Sequence, residues 1–510
     1  MQKSQLVIVY HRQPYEEVIE DGKTVLREHS SPNGIVPTLK SFFGTAEHCA
    51  WVAWKQIDPR KPQGFAPTVQ INDSYGSYVV SRLGLTAQQV KSFYHVTSKA
   101  ALWPILHSFP ERYDYDPVDW NTFREVNMLF AKAAAEQAAE GAVVWVHDYN
   151  LWLVPGYLRA LRPDVRIAFF HHTPFPAPNI FNILPWRDEI VESLLACDMI
   201  GFHIPRYAAS FVQVARSLKE VEIVEEIAVE AGLSPRGMAL SQPSVPVRIS
   251  YAGREILIDA FPVGANIAHI QDVSQREATR ELEAKIRSQL NGRRMIISVG
   301  RSDYTKGTRD MLLAYERLLE RRPELHEKIQ LLVTSVAANT GMTAYRAVQR
   351  EIEQLAGQIN GRYASLGWQP LLLFSNAIPF DELIAYYRCA DVCWVTPLRD
   401  GLNLVAKEYA AACHDEDGVL VLSEFTGAAI ELKGAVLTNP YSARNMDAAI
   451  DKSLDMPAEE RRTRMQAMWK SVSHYDSLQW AKHTQERFTE LRAIPAVAAL
   501  PVTAVEEVVL

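Results

Sequence analysis

The stretch SVGRSDYTKG, residues 298–307, leads from small and apolar residues through a glycine to two cations, Arg301 and Lys306. A planar guanidinium and a point-charge ammonium both suit phosphate oxygens. Gly300 and Gly307 would let backbone approach a ligand closely. A surface strand end with solvated cations has the same composition, so a second stretch has to decide. In TPLRDGLNLVAKEYAAA (396–412) a strand ends, Asp400–Gly401 turns, and a helix begins near Asn403. The first N–H groups of that helix have no intrahelical partner and carry partial positive charge, which makes an anion site. Glu408 lies one turn further in, where a carboxylate can accept paired ribose hydroxyls. Asp400 stands ahead of the helix, placed for a sugar hydroxyl. Taken singly, Asp400 reads as a cap and Glu408 as an ordinary helix residue. With Arg301 and Lys306 they suit a sugar–diphosphate–ribose chain.

The first half carries its own polar clusters. WVHDYN (145–150) puts His147 and Asp148 at one strand end, and FFHHTPFP (169–176) puts His171 and His172 at another. Pro174 and Pro176 stop a helix there and fix a loop. An early aromatic group, WVAWKQ (51–56), Tyr94 and LWPILH (102–107), reads in part as core, Trp51 above all. Trp54, Lys55 and Trp103 are the candidates for an acceptor wall, since polyols stack on aromatic faces. SPNG (31–34) is a turn able to cover a phosphate.

These residues need strands to carry them. QLVIVY (5–10), AVVWVHD (142–148), VRIAFFHH (165–172) and MIGFHI (199–204) predict strands in the first half. RMIISVG (294–300), KIQLLVTSV (328–336), PLLLF (370–374), DVCWVTP (391–397) and GVLVLSEF (418–425) do so in the second. They are near-continuous apolar runs, as parallel strands covered on both faces require. Amphipathic helices over 188–196, 343–359 and 380–389 alternate with them. The expected fold class is therefore α/β, with two doubly wound Rossmann-like domains facing a cleft. Ligands sit outside the carboxyl ends of such strands, where the polar clusters lie. The join is expected within 240–265, before a charged helix over 272–290.

The bulk composition is consistent with this. A chain of 510 residues exceeds one core and implies at least two domains. The formal charge of −7 gives no basic footprint for nucleic acid. Five scattered cysteines fit a reducing compartment. Cys389 and Cys393 are not spaced as CxxC and read as buried small hydrophobes rather than a zinc site. The apolar run at the N-terminus is short for a signal peptide and is broken by Tyr10, His11 and Arg12. No stretch reaches the length of a membrane span. A cytoplasmic protein without membrane or specific nucleic-acid partners is expected; homo-oligomerisation is left open.

WVHDYN, HTPFP, RSDYTKG, AGQINGRYASLGWQP (356–370) and TPLRDGLNLVAKEY resemble the motifs of the trehalose-6-phosphate synthase family, retaining glycosyltransferases of GT-B fold. The likeness runs from about residue 5 to 490. Within the family, VYHRQPYEEV, SPNGIVPTLKSFF, WVAWKQ and FHHTPFP resemble the glucosylglycerol-phosphate branch. The trehalose branch has an Asn–Arg pair at the first strand, a double glycine in the early loop, and Leu–His–Ile before Pro–Phe–Pro. It also has a Ser–Arg–Gly whose arginine grips the acceptor's phosphate; the equivalent here is Asn339–Thr340–Gly341, with no cation. That departure speaks against glucose 6-phosphate as acceptor.

Carried over by position, the resemblance makes Arg301 and Lys306 ligands of the donor diphosphate. It gives Glu408 the ribose and Asp400 the donor glucose, with Asn403, Leu404 and Val405 in contact at the helix start. His172 would hold the glucose 6-hydroxyl, and Asp148 would face the acceptor hydroxyl. Arg12, Gly34, Trp54, Tyr94 and Trp103 would line the acceptor side, and Lys55, beside Trp54, is a further candidate for its phosphate. Asp148, Arg301 and Lys306 are the expected catalytic residues. The implied organisation is an acceptor-side domain over 1–250 and a nucleotide-sugar domain over 251–475. A helix over 476–492 packs back on the first domain, and a poorly ordered tail covers 493–510. The implied reaction moves glucose from ADP-glucose to sn-glycerol 3-phosphate, in osmoprotectant synthesis, with no cofactor and no metal. Trehalose-6-phosphate synthesis and a non-catalytic nucleotide-sugar sensor are the alternatives. The four donor-side charges argue against the sensor, and release of nucleoside diphosphate would separate it from an enzyme.

Overall fold

Strand Ser4–Val9 shows why the first half folds as it does. Its side chains alternate, Val7 and Val9 entering one apolar core and Leu6 and Ile8 another. Both faces are thus covered, and the strand pairs in parallel with Cys49–Ile57 on one side and Ala138–His147 on the other. Arg166–His171, Met199–Phe202 and Arg254–Ala260 continue the parallel run outward from Ala138–His147. Gly76–Thr86 extends it beyond Cys49–Ile57. Antiparallel strands close both edges: Thr68–Asp73 at one, and Ser244–Tyr251 with Glu222–Ala228 at the other, giving ten strands. This computed structural model describes residues 2–20, 23–29, 34–45, 48–60, 65–230, 233–234, 237–337, 342–415 and 417–493.

The second sheet has six strands, all parallel, with Arg294–Ser302 between Ile329–Ala337 and Val392–Val395. Leu371–Phe374 lies beyond the former; Val419–Ser423 and Val436–Thr438 lie beyond the latter. Here too alternation feeds two cores, Met295 and Ile297 on one face and Ile296 on the other. Among the described residues no helix is long and apolar enough to cross a membrane.

The expected boundary at 250 falls inside the first sheet. A hairpin through Ala252 and Gly253, both at positive φ, returns the chain as Arg254–Ala260 beside Met199–Phe202. The first domain therefore runs on through Ala260. The charged helix expected over 272–290 is two helices, Ile267–Gln275 and Glu277–Leu290, parted at Arg276, whose backbone is extended. Helix Ser477–Ala493 crosses back to the first domain. Its buried Trp480 meets Phe42, Trp145 and Phe170, and His483 Nε2 lies 2.9 Å from Asp259. Residues 494–510 of the expected tail, 31–33 of the early turn, and Asn339–Thr340–Gly341 lie outside the described residues.

Candidate active site

The residues expected on the donor side come from two strand ends of the second sheet. Arg294–Ser302 delivers Arg301 at its carboxyl end. Asp303 then folds the short turn Tyr304–Lys306 by accepting from the Thr305 N–H at 3.0 Å and its hydroxyl at 2.9 Å. Gly307 leaves that turn at φ 65°, and a Cβ there would stand 2.1 Å from the Thr396 carbonyl oxygen. Its bareness therefore serves chain against chain rather than chain against ligand: the turn closes on the next strand end, where the Leu398 N–H donates to Thr305 O at 2.7 Å. Around Gly300 the space is open.

This closure puts Lys306 Nζ 2.6 Å from Asp400 Oδ2. Asn403 Nδ2 donates to the same oxygen at 3.1 Å, while Asn403 Oδ1 accepts the Ala406 N–H at 3.0 Å and caps helix Leu404–Ala412. Burial works to raise the Asp400 carboxyl, but the Lys306 charge and the hydrogen bonds from Lys306 and Asn403 outweigh it and hold its pKa low. Leu404 and Val405 lie in the first turn of that helix, half-buried, where N–H groups have no intrahelical acceptor. Glu408, buried a turn later, has its carboxyl pushed up to about 7 by burial, opposed by a hydrogen bond with Tyr387.

The opposing wall comes from the first sheet. Asp148 follows Ala138–His147 at φ 69°, and its N–H donates to Phe170 O at 2.9 Å, locking this strand end to its neighbour. Burial pushes the Asp148 carboxyl up to about 6, against N–H groups of Tyr149 and His172 and the charges of Lys99 and Arg12. His172 Nε2 lies 3.0 Å from His147 Nδ1, and rings of Tyr10, Phe170 and His203 surround it. Burial first, then neighbouring imidazoles, hold His172 neutral at physiological pH. Asp148 and Asn403 are non-glycine residues at positive φ on the two sides of the site. Such strain persists where surrounding structure imposes it, and it concentrates at functional sites.

The two walls touch. A Cβ on Gly401 would lie 2.5 Å from His172 O, and the Tyr207 hydroxyl donates to Asp400 O at 3.1 Å. The donor-side turn of one domain is thus seated against the histidine loop of the other.

Arg12, exposed just beyond the first strand, is hydrogen-bonded to Tyr94; Tyr10 lies nearby, and the Arg12 carbonyl accepts Trp51 Nε1 at 2.8 Å. Trp51 is fully buried and belongs to the core. Trp54 is half-buried, its ring 6.3 Å from Tyr94. Gly34, at φ 109°, starts helix Ile35–Lys40. Two acceptor-side candidates are placed otherwise than in an open wall. Lys55 is bound at 2.6 and 2.8 Å to the two oxygens of Glu17, because strand alternation sends it to the face opposite Trp54. Trp103 offers no open wall: it is buried, with Lys99 Nζ 3.7 Å from its ring centroid and the His107 ring at 4.0 Å. The sequence reading also passed over Lys99, Tyr207 and Asp303. Lys99 had a signal, since it stands four residues before Trp103 and five after Tyr94 on one helical stretch.

A profile of glycosyltransferase family 20 matches residues 4–490. The chain belongs to glycosyltransferase family 20. It is 55% identical over 480 residues to the glucosylglycerol-phosphate synthase of Synechocystis sp. (strain ATCC 27184 / PCC 6803 / Kazusa), covering 94% of this chain and 96% of that relative. The structure of trehalose-6-phosphate from E. coli bound with UDP-2-fluoro glucose superposes with a TM-score of 0.81 at 29% identity, covering 96% of this chain and 100% of that one. An α,α-trehalose-phosphate synthase (UDP-forming) from Burkholderia xenovorans in complex with glucose-6-phosphate does so at 0.79 and 29%, covering 95% and 100%. The fold is the GT-B arrangement of that family, and the protein is a retaining glycosyltransferase that transfers glucose.

Proposed function

We propose that this glucosyltransferase moves glucose from ADP-glucose to sn-glycerol 3-phosphate. The products are 2-O-(α-D-glucopyranosyl)-sn-glycerol 3-phosphate and ADP. The observation that carries the reading is the contact of the Asp400–Gly401 turn with the His172 loop. It seats the turn that carries Asp400, with its partner Lys306 and the capped helix, against the loop of His172, whose N–H also faces Asp148. The choice of acceptor rests on the likeness of the early motifs to the glucosylglycerol-phosphate branch.

The demanding step is departure of the nucleoside diphosphate, which gathers charge as the glycosidic bond breaks. Arg301, Lys306 and the N–H groups of Leu404 and Val405 would meet that charge. They are oriented in advance by Asp303, Gly307 and the Asn403 cap, so little reorganisation is needed. Asp400 would hold donor hydroxyls while keeping Lys306 in place, and Glu408 would take the ribose. His172, neutral, can exchange a hydrogen bond with the glucose 6-hydroxyl. Retention follows from a same-face path, in which the leaving phosphate oxygen accepts the proton of the incoming hydroxyl. Asp148 would orient that hydroxyl.

The test is a matrix of ADP-glucose and UDP-glucose against glycerol 3-phosphate and glucose 6-phosphate, read as release of nucleoside diphosphate. ADP-glucose with glycerol 3-phosphate should give the highest kcat/KM. Equal use of the two acceptors would return the protein to trehalose-phosphate synthesis, and donor binding without turnover would make it a sensor.

A further inference from the structure

We propose that Lys99 is the residue that seats the acceptor's phosphate, with Arg12 as its partner; the inference rests on the acceptor reading above.

Lys99 lies on the wide π-helix Lys91–Leu102, a helical form that is rare and often marks functional sites. Its ammonium stands 3.7 Å from the ring centroid of Trp103, 5.8 Å from that of Tyr94 and 5.9 Å from that of Tyr149. Three rings from two segments thus fix a half-buried cation in one place. The negative faces of the rings attract the ammonium and hold it without neutralising it. Among the described residues no carboxylate lies within ion-pair distance of it.

The charged and titratable groups facing Lys99 come from every element around it. Arg12 and His11 follow the first strand; Asp148 and Tyr149 follow Ala138–His147; Arg301 and Asp303 end Arg294–Ser302; Tyr94 shares its helix. His11 is held neutral by burial first, then by Arg12 and Lys99. Asp303 already accepts two hydrogen bonds from Thr305. The balance is cationic, with Arg12 and Arg301 adding to Lys99. Burial, with the charge of Arg301 next, pushes the Lys99 pKa down to about 7, although Asp303 and Asp148 pull the other way. Among the described residues neither carboxylate pairs with the ammonium, and a phosphate dianion would supply that partner.

The neighbours also suit a short acceptor. In glycerol 3-phosphate the reacting hydroxyl sits on the carbon next to the one bearing the phosphate ester. The two subsites must then be close, and Asp148 feels the charges of both Lys99 and Arg12. Lys55, tied to Glu17, cannot serve this role without giving up that pair.

Lys99→Met and Lys99→Arg test the assignment, with steady-state kinetics on glycerol 3-phosphate, free glycerol and ADP-glucose. A hydrogen bond to a charged group is worth about 1.5–3 kcal/mol, so Lys99→Met should raise the KM for glycerol 3-phosphate by about tenfold or more. The preference for glycerol 3-phosphate over glycerol should narrow by the same factor, and the KM for ADP-glucose should move less than about threefold on the same scale. Lys99→Arg should restore the preference. In the wild type the KM for glycerol 3-phosphate should climb as pH rises from about 7 to about 9, as a lysine of that pKa discharges; Lys99→Arg should abolish the climb. An unchanged preference in Lys99→Met overturns the proposal. If that variant does not fold, Lys99→Gln carries the same comparison, and an unchanged preference in it overturns the proposal. A wild type that refuses glycerol 3-phosphate but uses glucose 6-phosphate overturns the acceptor reading. Lys99→Met assayed on glucose 6-phosphate then still decides whether this lysine holds a phosphate.

Discussion

Lys306 and Asp400 are worth most as a pair, and the pair separates binding from chemistry. Lys306→Ala removes a cation that would meet charge growing in the transition state, and loss of one such donor costs about 2.7–4 kcal/mol. It also strips the half-buried Asp400 carboxylate of its 2.6 Å partner, leaving Asn403 at 3.1 Å. We expect kcat/KM to fall about 10²–10³-fold and ADP affinity to weaken by less. Equal losses would mean that Lys306 serves ground state and transition state alike. Glu408 gives a second prediction, in pH. Its carboxyl sits at about 7 in the folded protein against 4.5 ordinarily, because burial disfavours the charge. The fold therefore holds this proton more tightly than the unfolded chain does. The stability the neutral group contributes is full below the ordinary value and fades as pH rises to about 7. The ionised carboxylate is the better acceptor for ribose hydroxyls, so ADP-glucose affinity should strengthen between about pH 6 and pH 8. The diphosphate diester of that ligand does not titrate there, so calorimetry reads the protein. Glu408→Gln should flatten the dependence; an unaltered slope would assign it to another group.

At the scale of elements, the strands that carry the chemistry were the legible ones. Ser4–Val9, Ala138–His147, Arg294–Ser302 and Val392–Val395 each hold a buried apolar run, Leu6–Val9, Ala142–Val146, Met295–Ile297 and Val392–Val395, and the polar residues that follow such runs stand out. The edge strands escaped for the opposite reason. Glu222–Ala228 is EIVEEIA, mostly exposed, with a charge pattern that suits solvent rather than a core. Cys49–Ile57 escaped differently: its aromatic residues read as a ligand wall, yet the pairing with Ser4–Val9 makes it a central strand. The Lys55 assignment came from its place beside Trp54 in the sequence, and only strand alternation reveals that the two point apart. The spacing of Lys99 from Tyr94 and Trp103 was legible; its third ring, Tyr149, was not, because it comes from the turn after Asp148. The donor-side turn is where element geometry can be tested. Gly307→Ala would place a methyl 2.1 Å from Thr396 O at φ 65°. The turn should open, and Lys306 should leave Asp400. We expect loss of transfer comparable to Lys306→Ala with the second domain still folded, read by circular dichroism alongside kinetics. Near-wild-type activity would mean that the turn tolerates displacement of Lys306.

The molecule as a whole is two domains linked by crossing segments and touching again at the site. Near the crossing, the chain at Gly264 lies against Asp476 so closely that a Cβ would stand 2.0 Å from its backbone carbon. Helix Ser477–Ala493 then sinks Trp480 beneath Trp145, whose ring lies 4.3 Å from that of His147, the partner of His172. The C-terminal segment therefore supports the first domain's side of the cleft from behind. In front, the contact between Gly401 and the His172 loop fixes the spacing of the two walls, and with it that of the proposed donor and acceptor groups. That contact can be changed without touching the proposed nucleotide ligands, because Arg301, Lys306, Asn403 and Glu408 all belong to the second domain. Gly401→Ala would put a methyl 2.5 Å from His172 O, and backbone on that side cannot step aside as a flexible side chain could. The domains should be held apart, or the Asp400–Gly401 turn should tilt away. A displacement near 1 Å at reacting atoms costs about 10²-fold in rate, so transfer should fall by at least that much. ADP binding, measured by calorimetry, should remain within about tenfold of wild type, since one domain supplies its ligands. If Gly401→Ala transferred glucose at the wild-type rate, the close approach of the two walls would be incidental to catalysis. If it lost ADP binding as completely as transfer, the turn itself, rather than domain spacing, would be what the glycine protects.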